Sequence, residues 1–180
     1  MAYTLIEQYA RDIDYFLTFH DVICHFASAG SRLPLFVEEN DLVNEENLRL
    51  IPLVSADVLG DLDVSYEINP NLSLITGIPQ DSEDFQSYIR DFVGFAKLGF
   101  FSFDKTYINE REDGRYHLVA YPKKESDAEI VSAKWRAHLS PLLEIRGPSF
   151  PPFWRHLFYR GVGSAFLPFD IRNSARYFYF

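Results

Sequence analysis

The strongest constraint on this chain is a helical stripe followed, one glycine later, by a hairpin signal. Within 82–98, Phe85, Tyr88, Ile89, Phe92, Phe95 and Ala96 recur at helical spacing on one face. Asp81 or Ser82 can cap the first turn, and Glu83 and Asp84 suit its positive end. Lys97 lies in the last turn, and Gly99 supplies a left-handed stop. Residues 100–112 and 115–122 then flank Asp113-Gly114, the strongest short-range hairpin turn pair. A tight turn there sets Glu112 opposite Arg115. It aligns Phe101, Phe103 and Tyr107 with Tyr116, Leu118 and Ala120 on one face. Ser102, Asp104, Thr106 and His117 fall on the other face. A helix and a hairpin joined so closely make an α+β unit, with the helix lying on the sheet.

A second hairpin is expected over 14–27. As a helix, this segment is apolar all round from Tyr15 to Ala27; as a hairpin turning at His20-Asp21, it sorts into two faces. Phe19/Val22, Leu17/Cys24 and Tyr15/Phe26 share an apolar face. Thr18/Ile23, Phe16/His25 and Asp14/Ala27 share a mixed one, as a sheet packed on one side requires. Elsewhere, 4–12 reads as a helix with a Thr4/Glu7 capping box. Residues 35–48 pattern as one or two short helices, and Pro52 interrupts anything continuing beyond. Residues 63–68 read as a strand and 71–80 as a loop. Within 128–143, Ile130, Val131, Trp135 and Leu139 mark a partial helix. The fold expected is α+β: one domain over 1–180, an antiparallel sheet with hairpins near 14–27 and 100–122, packed on helices.

The tail of the chain differs from the rest. Residues 148–180 carry 11 aromatics among 33 residues, and this aromatic C-terminal segment is expected to complete the core. Charge divides in the same region. Residues 1–130 hold 24 Asp and Glu against 10 Lys and Arg, whereas 131–180 hold 2 against 7. The net −9 is therefore an acidic body of −14 joined to a basic, aromatic-rich end of +5. Thirty aromatics in 180 residues exclude whole-chain disorder.

The longest stretch free of Asp, Glu, Lys and Arg is 68–80, only 13 residues, so no membrane span is expected. The start lacks the basic-then-apolar pattern of a secretory signal. The only cysteine, Cys24, can form no intrachain disulfide. A soluble, cytoplasmic protein is expected.

Four groups of residues could carry chemistry. His20, Asp21, Cys24 and His25 are metal-ligand types, and on a helix they would form two i,i+4 pairs. As a hairpin they disperse, and no zinc spacing is matched, so no metal and no cofactor is expected. Asp14 and His25 lie on one hairpin face at a diagonal, where a carboxylate could orient a general base. Asp57, Asp61 and Asp63 do not follow the offsets of a calcium loop and read as a solvated turn. The tail interleaves Trp154, Arg155, Tyr159 and Arg160, a composition suited to a protein interface or to base stacking. The −14 body argues against a phosphate backbone as partner.

No GxSxG, HExxH or P-loop occurs. The leading expectation is a non-enzymatic interaction or binding module that meets another protein or a second copy through Trp154, Arg155, Tyr159 and Arg160. The alternative is a small hydrolase or metal-dependent enzyme using Asp14, His25 and His20. The third is weak nucleic-acid binding through the Arg/aromatic tail.

Overall fold

The computed structural model describes residues 3–19, 22–34, 37, 45–111, 115–139, 143–145 and 169–170. In chain order the elements are α1 (Leu5–Ala10), β1 (Asp14–Phe19), β2 (Val22–Ala27), α2 (Glu45–Leu59) and β3 (Tyr66–Ile68). Then come α3 (Leu72–Thr76), α4 (Glu83–Lys97), β4 (Phe101–Lys105) and β5 (Arg115–Pro122). The remainder is α5 (Glu125–Trp135), β6 (Leu143–Ile145) and β7 (Phe169–Asp170).

The fold is α+β, and the described residues build one seven-stranded sheet in the order β3-β5-β4-β2-β1-β6, with β7 also paired to β5. The hairpin β1/β2 forms in the expected register, from Phe19↔Val22 to Asp14↔Ala27. Its turn pair, His20-Asp21, lies outside the described residues. The sheet is mixed rather than wholly antiparallel: β2 pairs β4 in parallel, and β1 pairs β6 in parallel. A parallel pair needs a long crossover, and α2, β3, α3 and α4 together supply the one between β2 and β4.

The β4/β5 hairpin keeps its partners but not its register. Thr106 N–H donates to the carbonyl of Arg115 at 2.9 Å, and Lys105 pairs with Tyr116. Arg115 therefore stands opposite Thr106, six residues before the Glu112 that a tight turn would choose. An even shift preserves side-chain faces, so Phe103, Tyr116 and Leu118 still share one. The pairing then slips between Phe103↔Leu118 and Ser102↔Ala120, leaving Val119 as the extra residue of a bulge. The bulge corrects the face expected for Ala120, which joins Ser102, and brings Tyr121 to stack on Phe101 at 6.2 Å. Asp113-Gly114 itself lies outside the described residues.

Helix α4 matches its stripe. Ser82 Oγ accepts the N–H of Phe85 at 3.1 Å, and Phe85, Ile89 and Ala96 are buried. Gly99 is required where it stands: its φ is +88°, and a Cβ there would lie 2.8 Å from Val131 Cγ1. Helix α2 runs through Pro52 instead of stopping before it. Its Ile51 and Val58 are buried against Phe16, Phe100 and Trp135. Tertiary packing thus offsets the hydrogen bond that proline removes. In α5 the buried stripe is Ala128, Val131 and Trp135, continued by Leu139, while Ile130 is exposed. The segment 72–76, expected as loop, is a short helix closed by Gly77 at φ 74°.

The two sheet faces differ. One is aromatic, with Tyr15, Leu17, Cys24, Phe26, Phe103, Tyr116 and Leu118 in one cluster. The other is covered by α4 with parts of α2 and α5, and carries polar side chains at its centre. The basic part of the chain supplies β6 beside β1 and β7 beside β5. Among the described residues, no helix is long and apolar enough to cross a membrane.

Candidate functional site

Two rows of the α4-covered face cross the sheet. Phe16, His25, Ser102 and Ala120 are successive partners across β1, β2, β4 and β5. Asp14, Ala27, Asp104 and His117 form the next row. Partners on adjacent strands stand about 5 Å apart, so two short polar rows concentrate acids, imidazoles and a hydroxyl.

His25 is the hub of the first row. Its Nε2 lies 2.9 Å from Asp14 Oδ1, and its Nδ1 lies 2.7 Å from Ser102 Oγ. A carboxylate only accepts, so Nε2–H donates to Asp14, while the direction of the Nδ1–Ser102 bond follows the hydrogens on the ring. The ring stacks on Phe95 of α4 at 3.8 Å between centroids. His25 and Ser102 are buried, whereas the Asp14 side chain is 33% exposed. The Asp14–His25 pair expected from the hairpin register therefore exists. Ser102 was not expected as its third member, because the parallel β2/β4 pairing that brings it there leaves no local sequence signal.

The second row continues onto α4. Tyr88 Oη lies 2.8 Å from Asp104 Oδ2 and 3.0 Å from His117 Nε2. Thr106 Oγ1 lies 3.3 Å from His117 Nδ1, and the N–H of Lys105 donates to Asp104 Oδ1 at 2.8 Å. Burial, with the charges of Asp12 and Asp14 adding to it, pushes the Asp104 carboxyl up to about 7 against its hydrogen bonds from Tyr88 and Lys105. Burial pushes His117 down to about 4. Burial likewise raises Asp12, which accepts the N–H of Ala29 at 2.6 Å.

Of His20, Asp21, Cys24 and His25, the last two are described, and they fall on opposite faces of the sheet. Cys24 belongs to the aromatic cluster, as the hairpin register requires. Burial also pushes the Cys24 thiol up, which makes it a poor nucleophile. His20 lies outside the described residues, as do Trp154, Arg155, Tyr159 and Arg160. Among the described residues, no three His, Cys, Asp or Glu side chains converge as metal ligands. Asp57, Asp61 and Asp63 are exposed in and after the end of α2.

No protein-family model, no curated protein and no solved structure matches the chain.

What the arrangement can do follows from access. A serine hydroxyl bonded to an imidazole that is bonded to a carboxylate has the connectivity of a nucleophilic triad. Here the hydroxyl sits within a central strand and the imidazole lies under Phe95. Only Asp14 reaches solvent from that chain. As a structural device, the same chain satisfies two buried polar groups, His25 and Ser102, through a half-buried carboxylate, and holds β1, β2 and β4 to α4.

Proposed function

We propose that this protein is a non-enzymatic binding module that acts through contact with another protein or a second copy. The observation that supports it is an inversion of accessibility. The polar cluster is internal and hydrogen-bonded, while Leu74 (85% exposed), Ile6 (80%) and Leu53 (75%) hold large apolar side chains in water. Each apolar side chain left in water gains free energy when a partner covers it, whereas a hydrogen-bonded interior network favours one unique packing. The proposal also assigns contact roles to Trp154, Arg155, Tyr159 and Arg160, on composition. It places the module in the cytoplasm, where a lone free thiol such as Cys24 is at home.

The experiment compares the wild-type chain with the triple variant Ile6→Glu, Leu53→Glu, Leu74→Glu, after both are shown to melt alike. Sedimentation reads self-association, and affinity capture reads other partners. The expected result is an association of the wild type that the variant loses. A wild type that neither self-associates nor captures a partner overturns the proposal, as does a variant that keeps every contact.

The Asp14–His25–Ser102 chain favours a second reading, a small hydrolase with Asp14 at its open end. Turnover of an activated ester that vanishes in both Asp14→Asn and Ser102→Ala would support it. Equal background rates in wild type and variants would exclude it.

A further inference from the structure

We propose that Thr106, His117, Tyr88 and Asp104 form a proton wire with two complete hydrogen-bonding states, linking the end of β4 to a carboxyl buried under α4. The geometry is continuous: 3.3 Å from Thr106 Oγ1 to His117 Nδ1, 3.0 Å from His117 Nε2 to Tyr88 Oη, and 2.8 Å from Tyr88 Oη to Asp104 Oδ2. Asp104 Oδ1 is already taken by the N–H of Lys105, so any acidic proton belongs on Oδ2, facing Tyr88.

Donor and acceptor counting leaves two arrangements. With Asp104 ionised, Tyr88 O–H donates to Oδ2, His117 Nε2–H donates to Tyr88 Oη, and Thr106 O–H donates to Nδ1. With Asp104 protonated, Oδ2–H donates to Tyr88, Tyr88 O–H donates to Nε2, and Nδ1–H donates to Thr106. The states differ by one proton, taken from water at Thr106, which is half-buried. Thr106 passes its own hydrogen to Nδ1, His117 passes the Nε2 hydrogen to Tyr88, and Tyr88 passes its hydrogen to Asp104. Each relay group ends with as many hydrogens as it began, and Asp104 gains one.

The groups around the carboxyl set when this happens. Tyr88 faces it from α4, His117 from β5, Asp14 from β1, and Asp12 from the residues just before β1. His25 of β2 stands on the neighbouring row, bonded to Asp14. Burial, with a smaller push from the two acids, holds Asp104 at about 7, while burial keeps His117 neutral down to about 4. The wire therefore reverses near neutral pH with its imidazole uncharged in both states. It carries protonation at the centre of the sheet to the hydroxyl where β4 leaves it.

The test follows the His117 ring nitrogens of the full chain by 15N NMR from about pH 5 to about pH 9. The expected result is a tautomer exchange, Nδ1–H at low pH and Nε2–H at high pH, with the midpoint of the Asp104 carboxyl resonance. A single tautomer throughout overturns the proposal, and so does imidazolium formation in that range. In Asp104→Asn, the side-chain carbonyl must accept from Lys105, so the amide faces Tyr88 and holds the Nδ1–H state at every pH. In Tyr88→Phe the wire is cut, and the His117 tautomer no longer follows Asp104. Persistent coupling in Tyr88→Phe would also overturn the proposal. Should a variant fail to fold, the wild-type titration decides alone.

Discussion

The two faces of the sheet use similar strands to opposite ends. On the aromatic face, Phe26 stacks between Tyr15 at 5.1 Å and Phe103 at 4.9 Å and meets Tyr116 edge-on. Its cohesion comes mainly from apolar area and ring geometry, which are insensitive to pH. On the α4 face, the same register positions His25, Ser102, Asp104 and His117, whose contribution depends on who holds each proton. Strand alternation alone divides the labour: one side supplies bulk stability and the other supplies specificity and responsiveness.

The largest expected effect lies on the aromatic side. Phe26→Ala removes a fully buried ring, at a cost of roughly 3–5 kcal/mol. Urea unfolding at several pH values should show that cost unchanged by pH; a strong pH dependence would erase the contrast between the faces. Next is His25→Ala, which removes the ring stacked on Phe95, leaves the buried Ser102 hydroxyl without its imidazole, and should cost about 3 kcal/mol. A loss under about 1 kcal/mol would show that the imidazole does not organise its row.

The pH slopes sharpen the comparison. Asp104 is raised from 3.8 to about 7, so the unfolded chain releases its proton first, and stability falls as pH rises through that window. His117 is lowered from 6.5 to about 4, so its contribution is lost as pH falls through that window, and stability rises with pH there. The two slopes oppose each other between about 4 and 6.5 in the wild type. Asp104→Asn should therefore gain stability with rising pH by about 1 kcal/mol per unit. His117→Gln should lose it at a similar rate. Identical slopes in the two variants would contradict the assigned burial. The smallest effect is Cys24→Ala on the aromatic face, at about 1 kcal/mol with no pH dependence.

Local patterning made much of this legible. The β1/β2 register follows from alternation together with a turn at His20-Asp21: alternation excludes a slide of one residue, and the turn position excludes a slide of two. Capping residues and one periodic face gave α4. Asp113-Gly114 misdirected the second register, because a local turn preference competes with the bulge at Val119 and the packing of Phe103 on Phe26. The mixed sheet was not legible, because nothing near Cys24 announces a parallel partner at Phe101. The Asp14–His25 contact could be read from one hairpin, but Ser102 needed that distant pairing. Tyr88 was a missed signal within reach: a tyrosine on the packed stripe of a helix needs a partner for its hydroxyl. Asp104 and His117 were already placed together on one strand face.

The parallel seam between β2 and β4 also governs how the chain comes into being. His25 and Ser102, bonded across it, are 77 residues apart in sequence. At ribosomal speeds of about 5–20 residues per second, the first hairpin waits roughly 4–15 s for its neighbour strand to emerge. Through that interval β2 presents an unpaired edge carrying Val22, Ile23 and Phe26. The seam that centres the finished sheet thus closes late and leaves an edge open to aggregation while it waits, and the β1/β6 pairing of Leu17 with Leu143 must wait longer still.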